Sequence, residues 1–165
     1  QIDKIRNQYH IFAKALGAKI NDDEYYEKAK QSIDDFAAAY GNAVFAVGEM
    51  MNGNPFELSL ALSRYGFKVA EIYGNLAPED FTYIKKMTQL SPDTRVFSNL
   101  SPSMIYYDEG NKDINITIGK DAAYYHQGTA NIHWTEEQQP FGYAGVTKLF
   151  HQLKAAMDAV QRRQN

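Results

Sequence analysis

Apolar positions along the chain follow a helical rhythm at first and change to strand-like runs near residue 43. Ile2, Ile5, Tyr9, Phe12 and Leu16 recur at one-turn or two-turn intervals, which predicts an amphipathic helix stopped by Gly17. A second stripe, Tyr26, Ala29, Ile33, Phe36 and Tyr40, predicts a helix from Asp23 to Tyr40. Asp22 and Asp23 suit its first turn or its cap, and Gly41 suits its C′ position. Two helices thus precede any strand. Either they pack on the sheet that follows or they belong partly to a neighbouring domain.

AVFAVG, from Ala43, is a short apolar run ending in glycine and reads as a strand buried on both faces. The loop GEMMNGNP then leads into a helix: Asn54 can cap it, Pro55 fits its first position and Glu57 falls at N3. Leu58, Ala61, Leu62 and Tyr65 form its stripe, Gly66 ends it, and FKVAEIYG is the next strand. Such a unit favours a right-handed parallel crossover. The pattern repeats with a helix opened by Pro78, Glu79 and Asp80 and carrying Phe81, Ile84 and Met87 or Thr88, then the strand TRVFS. A short helix from Ser101 to about Glu109 precedes DINITIG, whose Ile114, Ile116 and Ile118 face one way. A short helix over 122–126, the strand TANIHW, and a long helix bearing Val146, Leu149, Phe150, Leu153, Met157 and Val160 complete the series.

This alternation predicts a three-layer α/β/α, Rossmann-like fold with an open, mostly parallel sheet of four to five strands. Residues 1–21 form an N-terminal helical segment and residues 22–165 a single domain.

With 165 residues, 44% of them hydrophobic, the chain can bury a substantial core. Its net charge is −3 and it has no extended basic run, which argues against nucleic acid as a partner. No apolar run approaches the roughly 20 residues of a membrane span. Cysteine is absent, which excludes disulfides, thiolate nucleophiles and any iron–sulfur cluster held by the chain's own thiolates, and permits a reducing compartment. The chain begins at Gln1, which reads as a processed chain or a piece of a larger protein.

In an open parallel sheet, ligands gather beyond the carboxyl ends of the strands. The loop Gly48–Asn54 could receive an anion at the following helix, and a tight turn explains its glycines equally well; it is neither a dinucleotide fingerprint nor a Walker loop. Lys120 follows Gly119 at a second strand end. His10 and His151 read as surface or boundary residues. His126 and His133 stand seven apart, with Asp121, Glu136 and Glu137 available to complete a metal shell. Asp22/Asp23 and Asp34/Asp35 read as solvated helix carboxylates. The run HWTEEQQPFGYAG holds the only tryptophan and either wraps a ligand or pins the last helix to the sheet.

From about Asp22 to Ala159 the chain resembles the C-terminal Rossmann-like domain of the nitrogenase component 1 family. That family includes nitrogenase subunits, cofactor-assembly scaffolds and dark-operative protochlorophyllide reductase subunits. Gly41-Asn42-Ala43-Val44 stands where the family has G-K-R-V, and Gly66-Phe67-Lys68-Val69 resembles its G-x-E-V. Asp113 to Lys120 resembles its D-L-I-G-x-G-x-K turn, with Asn115-Ile116-Thr117 replacing part of it and Gly119 displaced. His133-Trp134 followed by Pro140-Phe141-Gly142-Tyr143-x-Gly145 resembles its H-x-W…P-[YF]-x-G-[YF]-x-G segment, with His and Trp adjacent and one more residue before Pro.

The resemblance implies one domain of a cytoplasmic nitrogenase-like oxidoreductase or cofactor-assembly subunit, forming one wall of an interdomain metal-cluster or tetrapyrrole site. His133 matches the family's molybdenum-ligating histidine. Gly48, Asn52, Gly53, Asn54, Gly119, Lys120, Trp134 and Gly142 are the candidate cofactor-binding positions, with Lys120 pairing an anion. Implied partners are the preceding domains of the parent, a paralogous second subunit and an ATP-dependent iron-protein reductase. The parent's implied cofactor is an iron–sulfur or molybdenum–iron–sulfur cluster. The isolated domain is expected to carry no cofactor and to be inactive. A different reading fits the missing cysteines and the altered turns: a non-redox small-ligand-binding or protein-interaction domain on the same fold.

Overall fold

The computed structural model describes residues 1–50, 53–108, 113–134 and 141–164. Among them five strands form one sheet: β1 (Val44–Val47), β2 (Lys68–Tyr73), β3 (Arg95–Phe97), β4 (Ile116–Ile118) and β5 (Ala130–Ile132). Their order is β3-β2-β1-β4-β5 and every neighbouring pair is parallel. The helices are α1 (Ile2–Ala15), α2 (Asp23–Tyr40), α3 (Pro55–Arg64), α4 (Phe81–Leu90), α5 (Lys120–Tyr125) and α6 (Gly142–Gln164). The fold is a three-layer, Rossmann-like α/β/α sandwich with unequal layers.

The thick layer holds α1, α2, α3, α4 and α6. Its core is aromatic: the Phe36 ring lies 5.4 to 6.2 Å from Tyr40, Phe45, Phe67 and Phe150. Leu149 and Leu153 of α6, Leu60 and Leu62 of α3, and Ile116 and Ile118 of β4 join it. The thin layer is α5 and a 3-10 turn at Pro102–Tyr106, over Val44, Ala46, Ala70 and Tyr73.

A register shift at Phe45/Ala46 sets Val69 opposite Phe45 and Glu71 opposite Ala46, leaving Ala70 without a partner on β1. A bulge of this kind reverses the in/out phase. Val69 and Ile72 therefore both reach the thick core, while Ala70 and Tyr73 fall in the thin one. β4 is shorter than DINITIG suggests. Ile116 and Ile118 share a face, but Ile114 packs in the thin layer, and Asn115 accepts a hydrogen bond from the Val44 backbone at 3.0 Å.

Local signals place α3 well. Asn54 accepts hydrogen bonds from the backbone N–H of Phe56 (2.9 Å) and Glu57 (3.0 Å), with Pro55 at the first helical position. Its amide also donates to Asp80 at 2.6 Å, and Asp80 accepts from the Ala77 backbone at 2.9 Å, so one cap ties α3 to the start of α4. Glu57 does not close a capping box; it pairs with Lys4 of α1. Asn54→Ala is expected to cost about 1–2 kcal/mol, because a cap is lost and Asp80 loses a donor. Urea titration measures it, and an effect below a few tenths would deny the cap that role.

Two helix ends differ from expectation. Gly41 remains right-handed at φ −59° rather than turning left-handed. Asp22 caps nothing with its side chain. It is buried and accepts from Tyr143 of α6, with His10 of α1 at 3.2 Å and Arg6 at 3.6 Å, binding three helices together. The Tyr143 hydrogen bond leads, with His10 and Arg6, in holding its carboxyl below the ordinary value of 3.8.

Candidate functional site

The strand order reverses between β1 and β4, where open parallel sheets bind ligands. A hollow of about 320 Å³ lies there, lined by Glu49 and Met50 after β1, Gly119, Lys120 and Asp121 after β4, His133 and Trp134 after β5, and Asn99.

Asp121 organises it. Its carboxylate accepts from the Glu49 backbone at 3.0 Å, the Asn99 amide at 2.7 Å and the Ala122 backbone at 2.9 Å. It thereby fastens the β1 loop to α5. Gly48 makes that approach possible, since a Cβ there would meet Asp121 Cγ at 2.7 Å and the Ala122 nitrogen at 3.0 Å. Gly119 turns the chain at φ +96°, open to glycine alone at low cost. Asn131 donates to the Gly119 carbonyl at 3.1 Å and to Thr117 Oγ1 at 2.8 Å, holding the turn from β5.

The free chemistry is small. Lys120 and His133 are exposed at the rim. Glu49 accepts from Asn75 at 3.0 Å. Trp134 is half-buried, its indole N–H directed to Gln152 of α6 at 3.4 Å. The Asn99 Oδ1 is buried without a hydrogen-bond partner. The hollow can take an anion or a polar group between one cation, one imidazole and one indole.

The structure thus gathers Gly119, Lys120, His133 and Trp134 in one place, with Gly48 beneath. Gly53 and Asn54 line an adjoining hollow of about 460 Å³ with Gly74 and Asn75, and Asn54 is occupied as a cap. Gly142 lies elsewhere: the Tyr9 hydroxyl of α1 occupies the space its side chain would need. Asn52, Glu136 and Glu137 lie outside the described residues. His126 and His133 do not meet, because His126 is buried under the thin layer. Asp121 is spent on hydrogen bonds. Among the described residues no three His, Asp or Glu side chains are placed to hold a metal.

Sequence reasoning missed a second constellation. Glu71, fully buried in β2, accepts from Tyr73 at 2.6 Å and Tyr107 at 2.7 Å. His126 Nε2 lies 2.8 Å away, and Arg95 pairs with the other oxygen. Burial alone would raise the Glu71 carboxyl; the bonds from Tyr73, Tyr107 and His126, with the His126 charge, outweigh it and hold it below 4.5. Burial pushes both the Tyr107 and the Tyr73 hydroxyls well above the ordinary tyrosine value, so both stay protonated donors. The available signal was a glutamate inside a run that a central parallel strand must bury, where a lone charge is untenable.

No protein-family model matches the chain, and no curated protein matches it. A solved structure, nitrogenase Cp1 at pH 6.5, superposes on 96% of the chain with a TM-score of 0.71 at 15% sequence identity. The two share a fold. The chain spans 38% of that nitrogenase chain's length. Kinship at this identity concerns architecture, so the chemistry of the hollow must be argued from its own residues.

An iron–sulfur or molybdenum–iron–sulfur cluster is the group the nitrogenase likeness implies. Such clusters are held by thiolates, and the chain has no cysteine. His133 is the one imidazole on the hollow among the described residues. The residues present do not fit a self-contained cluster site. What the described lining offers is one imidazole, one ammonium and one indole.

Proposed function

We propose that this chain is one domain of a nitrogenase-like oxidoreductase or cofactor-assembly subunit, and that its strand-end hollow forms one wall of an interdomain site. The observation that carries this reading is the convergence of Gly119, Lys120, His133 and Trp134 at the β1/β4 crossover of a nitrogenase-like fold. His133 offers a ligand nitrogen, Lys120 offers charge to an anionic group, and Gly48 and Gly119 let backbone come close. Electrons and cysteine ligands come from other domains or subunits, so the chain positions a group and does not itself reduce substrate.

The test uses the parent protein purified without oxygen, with iron and molybdenum measured in wild type, His133→Ala and Lys120→Ala. Loss of one first-order ligand is expected to lower metal retention by about tenfold or more, with Lys120→Ala weaker in effect. Unchanged content in His133→Ala removes that residue from the ligands. Protein that stays metal-free after cluster reconstitution favours a second reading, a non-redox binding or interaction domain. That reading draws support from the single imidazole on the hollow and from the structural employment of Asn54 and Asp121.

A further inference from the structure

The apolar stripe of α1 is only half used. Ile2 is buried and Ile5 and Tyr9 pack on the core, but the same stripe continues through Phe12, 63% exposed, and Leu16, 81% exposed. Ile20 and Phe141 extend the exposed apolar surface into a hollow of about 360 Å³ beside Tyr9. That hollow shares Tyr25, Tyr143 and Ala144 with a groove of about 510 Å³ running between α2 and α6 to Ala155.

Glu24 and Glu27 are exposed on α2 outside the groove lining, whereas the lining itself is basic. Lys28, Lys148 and His151 line the groove, and among the described residues no carboxylate does. Lys14 and Lys19 stand exposed beside Phe12, Leu16 and Ile20. Asp22, in the adjoining hollow, is consumed by Tyr143, His10 and Arg6. A cationic rim around an apolar floor is a marked departure in a chain of net charge −3.

We infer that the α1 overhang and the α2/α6 groove are a docking surface for an acidic amphipathic helix of a partner. A groove between two packed helices accepts a third by ridges-into-grooves packing, its apolar anchors one turn apart. From Ala144 to Ala155 the groove runs about 16 Å, or three helical turns. Carboxylates flanking the partner's apolar stripe meet Lys28, Lys148 and His151; its anchors cover Tyr25, Phe141 and the overhang. A second copy of this chain is a poor occupant, because a twofold contact here would set the cationic rim against itself. The surface lies on the thick helical layer and stands independently of the strand-end hollow.

The test is fluorescence anisotropy with a labelled peptide of about sixteen residues, carrying leucines one turn apart flanked by glutamates. The controls are the same peptide with Glu→Gln and with Glu→Lys. The acidic peptide is expected to bind at least about tenfold more tightly than the Gln version and to weaken steeply with salt. Lys28→Glu/Lys148→Glu and Phe12→Ser/Leu16→Ser are each expected to weaken it by about tenfold or more. These side chains are exposed, and unchanged circular dichroism confirms intact folding of the variants. Equal binding of the three peptides, or wild-type binding by both variants, overturns the inference. So does sedimentation showing that the same surface forms a dimer.

Discussion

Glu71→Ala is expected to destabilise the protein by about 3–5 kcal/mol, the cost of breaking a buried ion pair from one side. Tyr73, Tyr107 and His126 would lose a shared acceptor at 2.6 to 2.8 Å inside the thin layer. Arg95 is half-exposed and can turn to water. The penalty therefore falls on the buried donors rather than on the guanidinium. Glu71→Gln keeps one acceptor oxygen and should cost less. The acid response follows from the direction of the Glu71 shift. Its carboxyl is held below 4.5 in the folded protein, so its contribution is complete above the unfolded value and drains away as pH falls through the folded one. Urea unfolding across pH 3 to 7 should give a shallower acid limb for Glu71→Gln than for wild type. An alanine variant within about 1 kcal/mol of wild type would deny the network its stabilising role.

Gly48→Ala is the second large effect. The added methyl would overlap the Asp121 carboxylate, which also holds the Glu49 backbone and the Asn99 amide. Moving Asp121 loses those bonds, and moving β1 disturbs the central strand, so neither relaxation is cheap. Overpacking plus lost hydrogen bonds should cost about 3 kcal/mol, a fall in Tm of roughly 10 °C for a chain of this size. Asp121→Ala opens the space the methyl needs. The double variant is therefore expected to be more stable than the sum of the two single costs allows. Strict additivity would mean that Gly48 is needed for some other reason.

How far the sequence could be read depended on whether a signal was local. Asn54-Pro55 capped a helix as its chemistry requires, and the alternation of strands and helices led to the correct layering. What failed needed knowledge of distant neighbours. Phe81 has the spacing of a core residue yet is 60% exposed, because the packed side of α4 runs through Tyr83, Ile84 and Met87. Ile114 looked like part of an alternating strand, but pairing starts two residues later. At the site, Gly119, Lys120, His133 and Trp134 were legible because strand ends in a parallel sheet converge by topology. Asp121 reads in the sequence as a carboxylate that could complete a metal shell, because nothing local announces its bonds to Glu49 and Asn99. Gly142 looked like a ligand-facing glycine in its motif, whereas its space goes to Tyr9, more than a hundred residues earlier. The bulge at Ala70 is invisible in a run of apolar residues, and with it the direction in which Glu71 points.

The pairing of β1 has a consequence for the order in which the molecule assembles. Val44 meets Lys68 across one short crossover, whereas Phe45 meets Ile116 only after the chain has made β2, α4 and β3. Closing the longer loop costs more entropy, and nonlocal parallel pairing is slow. The β1–α3–β2 half can thus form early, with β4, α5 and β5 docking onto the other edge of β1 later. Asp121 fastens that late seam, and the hollow sits on it. The strand-end hollow is then expected to be the last part of the fold to close and the first to come apart when the molecule opens locally.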